Sequence, residues 1–91
     1  MTEKEIENYF VWAVETIGGK SFKFRSITQK GVSDRIACLP KGGTWFVELK
    51  KPKGGRLSPL QKIFADEMSV LQQNYACFWT QEQIDDWITK T

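Results

Sequence analysis

Apolar residues recur at helical spacing near the start of the chain. In EKEIENYFVWAVETI, residues 3–17, Ile6, Phe10, Ala13, Val14 and Ile17 fall on one stripe, and Gly18-Gly19 supplies a stop, so a first amphipathic helix is predicted here. The period then changes to two. In KSFKFRSI, Phe22 and Phe24 alternate with Lys23 and Arg25, the pattern of a strand with one buried face. DRIACLP and TWFVELK are two further apolar runs, and the Pro40-Lys41-Gly42-Gly43 segment between them predicts a hairpin. Two prolines and two glycines among four cations make KKPKGGRLSP a loop.

Ser58-Pro59-Leu60-Gln61 carries three helix-start signals at once: a serine N-cap, proline at the first helical position, and glutamine three residues after the cap. The stripe of this second helix is Leu60, Ile63, Phe64, Met68 and Leu71. YACFWT predicts a fourth strand, and Thr80 with Gln83 repeats the capping signature before a last short helix bearing Ile84, Trp87 and Ile88. The expected order is αβββαβα, an α/β (α+β) fold filling residues 1–91 as one domain.

Charge is unevenly placed. The net charge is +2, yet residues 18–62 hold eleven of the thirteen basic residues against only two acids, Asp34 and Glu48. That local excess, flanked by acidic segments, suits a polyanion such as DNA. Lys51, Lys53 and Arg56 in the glycine-containing loop, with Lys30 and Arg35, are the expected phosphate contacts; no helix offers the Arg, Asn and Gln array that reads base edges. The chain has no histidine, which excludes mechanisms needing a histidine base, and two cysteines give a structural zinc site too few ligands. Cys38 and Cys77 lie in apolar runs and are expected to be buried, reduced thiols. Trp12, Trp45, Trp79 and Trp87 are expected in the core or at a dimer contact rather than as stacking platforms. With no signal peptide or membrane span in view, the expected location is the cytoplasm of a bacterial or phage-infected cell.

The two isolated acids carry the candidate chemistry. Glu48 interrupts the apolar run TWFVEL, where an unpartnered charge is costly. Residues two apart on a strand share a face, so Glu48 and Lys50 are neighbours. If Lys41–Gly43 forms the turn and Pro40 pairs with Thr44, facing positions sum to 84 and Asp34 lies opposite Lys50. Any even sum keeps Asp34, Glu48 and Lys50 on one face, and an odd sum separates them. Two converging carboxylates repel unless a proton or cation sits between them, and an oxygen-only set of this kind suits Mg²⁺ or Mn²⁺. Such a cation activates phosphodiester hydrolysis without any histidine.

The segments GVSDRIACLP and TWFVELKKPKGGRLSPLQ, together with EKEIENYFVWAVETIGGKSFKF, resemble the virus-type replication-repair nuclease (VRR-NUC) domain of the PD-(D/E)xK nuclease superfamily. The resemblance covers nearly the whole chain. One position departs from the motif: Ser33 stands where a proline usually precedes the aspartate. The resemblance implies a restriction-endonuclease-like core with a mixed sheet, with Asp34, Glu48 and the Leu49 carbonyl as metal ligands and Lys50 as the catalytic lysine. Gln61 falls where the family places a glutamine near the site, although it also completes a capping box. A first-helix glutamate often completes such sites; Glu7 is preferred here over Glu3.

The leading expectation is therefore a Mg²⁺- or Mn²⁺-dependent DNA endonuclease, acting as a homodimer on branched DNA such as four-way (Holliday) junctions, the junction preference resting on the family alone. A non-catalytic nucleic-acid-binding module with a nuclease-like fold is the alternative. A small protein-interaction domain with an incidental basic loop fits the charge distribution least.

Overall fold

A computed structural model describes all of residues 1–91. The elements are α1 (Glu3–Thr16), β1 (Lys20–Lys23), β2 (Arg35–Cys38), β3 (Thr44–Leu49), α2 (Pro59–Val70), β4 (Tyr75–Phe78) and α3 (Gln81–Lys90), in the expected αβββαβα order. The strands form one mixed sheet in the order β1-β2-β3-β4, with β1–β2 and β2–β3 antiparallel and β3–β4 parallel. The parallel step follows from α2, which carries the chain from the end of β3 back to the start of β4.

All three helices begin with capping boxes, at Thr2/Glu5, Ser58/Gln61 and Thr80/Gln83. Each satisfies backbone N–H groups that a helix start otherwise leaves unpaired.

The two sheet faces are treated differently. Ala37, Val47, Leu49 and Phe78 point to the face covered by α1 and α3, and with Ile6, Phe10, Ala13, Val14, Ile84 and Trp87 they form the buried core. The rings of Phe10, Trp45, Phe78 and Trp87 interlock there at centroid separations of 5.4–6.0 Å. The other face carries Phe46, Glu48, Tyr75 and Cys77, and α2 lies against part of it through Phe64, which meets Phe46 and Tyr75 edge-on. No residue of α2 is fully buried. Of its expected stripe Phe64 and Met68 are half-buried, whereas Leu60, Ile63 and Leu71 are exposed, as is Val70.

Other side chains also depart from expectation. Phe22 is half exposed, because β1 is the sheet edge and α2 lies over the far side of the same face. Cys38 is exposed beside the hairpin turn, and Cys77 is half-buried; both are free thiols. Of the tryptophans, Trp45 and Trp87 belong to the core, whereas Trp12 stands exposed on α1 beside Tyr9.

The hairpin register is offset by two from the one expected. Facing positions sum to 82, with Arg35 opposite Val47 and Cys38 opposite Thr44. The Leu39 N–H bonds the Gly43 carbonyl at 2.7 Å, so the chain turns at Pro40 rather than after it. Proline has no N–H to give a closing pair, and Gly42 takes the positive φ of 87° that the turn requires. The sum remains even, and extending the register places Asp34 across from Glu48 instead of Lys50.

Candidate metal centre

The end of the sheet away from that turn gathers the polar groups. Asp34 immediately precedes β2, and its Oδ2 accepts the Leu49 backbone N–H at 2.9 Å, which fastens the carboxylate to the end of β3. Ser33, in the place of a proline, is buried, and its hydroxyl donates a long bond of 3.4 Å to the Arg35 carbonyl. The backbone around Asp34 is thus tied locally without the proline ring. The ladder also runs past β1, since the Phe24 N–H donates to the Asp34 carbonyl at 2.9 Å.

Glu48 is 1% exposed, an acidic group inside a nearly dry setting. Its Oε2 accepts the Gln61 side-chain amide at 3.2 Å and lies 3.7 Å from Lys50 Nζ. Its Oε1 is buried with no hydrogen-bond partner. Burial, then the neighbouring Asp34 carboxylate, push the Glu48 carboxyl up to about 9, against the opposing pull of Lys50. Cys77, which pairs with Glu48 across β3–β4, has its thiol pushed up to about 12 by burial and by the same carboxylates, and the Tyr75 phenol is raised chiefly by burial.

Gln61 makes two contacts at once. Its Oε1 accepts the Ser58 N–H at 2.8 Å, completing the cap, while its amide nitrogen donates to Glu48. One side chain thus couples the start of α2 to the buried carboxylate.

The first-helix acid is placed differently from expectation. Glu7 binds Arg35 Nε at 3.0 Å and lies 3.7 Å from Lys23 Nζ, on the α1 side of the sheet. Glu3, one turn nearer the helix start, is the α1 acid whose charge acts on Glu48. Arg35 is correspondingly enclosed: its side chain is 15% exposed, and it bonds Glu7 and Ser21, so it does not face a polyanion in solution. Lys51, Lys53 and Arg56 are exposed on the loop after Lys50, and Lys30 is exposed on the segment before Asp34. Sequence reasoning missed Trp79 as part of this region. Its indole N–H donates to the Gly55 carbonyl at 2.9 Å, holding the basic loop against the end of β4. A lone tryptophan after an apolar strand gives no signal of such a contact.

The donor set fits a hard divalent cation. It comprises two adjoining carboxylates, one with a buried, unpartnered oxygen, and the backbone at Leu49 between them. No cluster of three or more His, Cys, Asp or Glu side chains surrounds it, so a cation here would complete its shell with backbone carbonyl, water and substrate oxygens.

The same architecture occurs in a solved structure. A chain described as a VRR_NUC domain superposes with a TM-score of 0.89 over 96% of this chain and 94% of its own length, at 26% sequence identity. This is the VRR-NUC fold. A curated relative, "Putative nuclease p44" of Acyrthosiphon pisum secondary endosymbiont phage 1, is 44% identical over 59 residues. That match takes in 65% of this chain and 62% of the relative, less than two thirds of its length. No family model matches the chain. Within the VRR-NUC fold as it stands here, Asp34, Glu48, Lys50 and Gln61 come together at one end of the sheet, and Glu7 and Arg35 pair with each other on the face beneath α1.

Proposed function

We propose that this VRR-NUC domain is a Mg²⁺- or Mn²⁺-dependent endodeoxyribonuclease. The observation that carries the reading is the buried Glu48 carboxyl, its Oε1 unpartnered, beside Asp34, an arrangement costly to a fold unless a proton or a cation neutralises it. Asp34, Glu48 and the Leu49 carbonyl would hold the cation, which supplies charge stabilisation at a phosphodiester and acidifies a water. Asp34 is held for this by the Leu49 N–H, and Glu48 by Gln61. Lys50, whose Nζ lies on the Glu48 side of the site, orients the attacking water or offsets charge gathering on the phosphate.

DNA is the substrate the charge distribution favours, with Lys51, Lys53, Arg56 and Lys30 along its backbone. Selection of branched DNA, four-way junctions included, belongs to this reading and rests on family likeness. Cutting both strands of a junction symmetrically calls for two sites about a two-fold axis, hence a homodimer. The outward row Leu60, Ile63, Val70 and Leu71 supports pairing with a second copy. Asp66 and Glu67 beside that row are opposite in charge to the exposed Lys20 on the free edge strand β1, which supports a contact between these surfaces of two copies.

The test is cleavage. Purified protein with Mg²⁺ or Mn²⁺ nicks branched or linear DNA and stops on adding EDTA, while Asp34→Asn and Glu48→Gln bind DNA but do not cut it. Undiminished cutting by both variants would remove the proposed site. Salt-sensitive binding with no cutting under either metal would establish the non-catalytic module instead. Ile63→Lys halves the mass seen by sedimentation if α2 forms the dimer contact.

A further inference from the structure

The basic loop is usually where such a chain would be expected to move, yet here it is closed into a ring. It leaves the sheet at Lys50, whose N–H donates to the Phe78 carbonyl at 2.9 Å. It then curls so tightly that a Cβ on Gly55 would stand 2.4 Å from the Lys51 carbonyl oxygen and 3.0 Å from Lys50 Cβ, with Gly54 at φ +79°. The next residue of the same strand end, Trp79, grips the tip through the indole bond to Gly55. It is the single hydrogen bond between residues 51–57 and the rest of the chain. Trp79 is itself fixed, because its backbone N–H donates to Gln83 Oε1 at 2.7 Å within the α3 cap. Beyond the loop, Ser58 and Gln61 lead back to Glu48.

We infer that Trp79 is a positioning residue that sets the reach of the basic loop. By holding the tip to the end of β4, it keeps Lys51, Lys53 and Arg56 at a fixed offset from Asp34 and Glu48. The phosphates gripped by the loop thereby determine which phosphate lies over the carboxylates. The inference rests on the nuclease reading for its consequence at the cut, and on DNA binding alone for its consequence in affinity.

Trp79→Phe keeps the ring and removes the indole N–H. Backbone order parameters from ¹⁵N relaxation are expected to fall across residues 51–57. DNA affinity should fall roughly fivefold, the worth of about one hydrogen bond. In cleavage, the rise in KM should outweigh any fall in kcat, and cut positions on an end-labelled duplex should spread to neighbouring phosphates. A double-mutant cycle separates positioning from general loss of structure. With Lys51, Lys53 and Arg56 all changed to Gln, adding Trp79→Phe should weaken binding no further, because no loop charge is left to position. An equal loss of affinity in both backgrounds, or unchanged order parameters in the loop, would overturn the inference. If the unaltered protein cuts no DNA, the nuclease reading fails while the affinity cycle still decides the role of Trp79.

Discussion

Glu48 is costly at the level of a single side chain. An exposed glutamate has a carboxyl near 4.5, and in this fold it is near 9. Between those values the folded chain keeps a proton that the unfolded chain releases, so metal-free stability should decline as pH rises from about 4.5 to about 9 and level off on either side. Thermal melts across that range in EDTA should show the decline, and Glu48→Gln should remove most of it. A divalent cation displaces the same proton, so the rise in melting temperature produced by Mg²⁺ or Mn²⁺ should grow as pH increases. The cysteines provide a second check at this scale. Cys38 is exposed, whereas Cys77 is half-buried with its thiol pushed up to about 12, so iodoacetamide at neutral pH should label Cys38 and leave Cys77 largely unreacted by mass spectrometry.

Asp34 and Glu48 were legible because each is an exception to its surroundings, one in a basic field and one in an apolar strand. Their convergence was legible only as a parity. The exact partner depended on Pro40, whose missing N–H moved the turn and set Asp34 opposite Glu48 rather than Lys50. The partner of Glu7 had no such guide. It lies near the start of an amphipathic helix, and its place is set by Arg35, whose strand position turns its guanidinium toward α1.

Among the elements, α2 carries the most information for its length. Its start was read from the sequence because Ser58, Pro59 and Gln61 form a local code that needs no tertiary contact. Its packing was not, since periodicity shows a stripe but not whether the sheet or solvent receives it. The two duties of Gln61 can be separated by comparing variants. Ser58→Ala removes the acceptor for the Gln61 N–H and should cost about 1 kcal/mol in denaturant melts while Gln61 keeps its bond to Glu48. Gln61→Leu should cost about as much in stability and should also abolish most metal-dependent cutting. If cutting falls equally in both, Gln61 acts only as a cap.

For the whole molecule, the sheet divides labour between its faces. One side, beneath α1 and α3, holds the core, and no helix of the chain is long and apolar enough to cross a membrane. The other carries the buried carboxylate, with the exposed cations on the loops beside it. DNA affinity should therefore fall steeply with salt, and each of Lys51, Lys53 and Arg56 changed to Gln should reduce the slope of log affinity against log salt by about 0.9. Arg35→Gln should leave that slope unchanged and lower stability instead, because its partner Glu7 is only 12% exposed and would lose its closest cation.

The turn at Pro40 lies at the opposite end of the hairpin from the carboxylates, yet it governs them. Strand pairing behaves here like a reading frame with two phases. Slippage by two positions, from the observed sum of 82 to 84, would exchange the neighbour of Asp34 but keep it on the face of Glu48. Slippage by one sends Asp34 to the face beneath α1 and leaves Glu48 alone with its proton. Insertions between Leu39 and Thr44 are therefore compatible with metal binding whenever they loop out or shift the pairing in twos, whatever their composition.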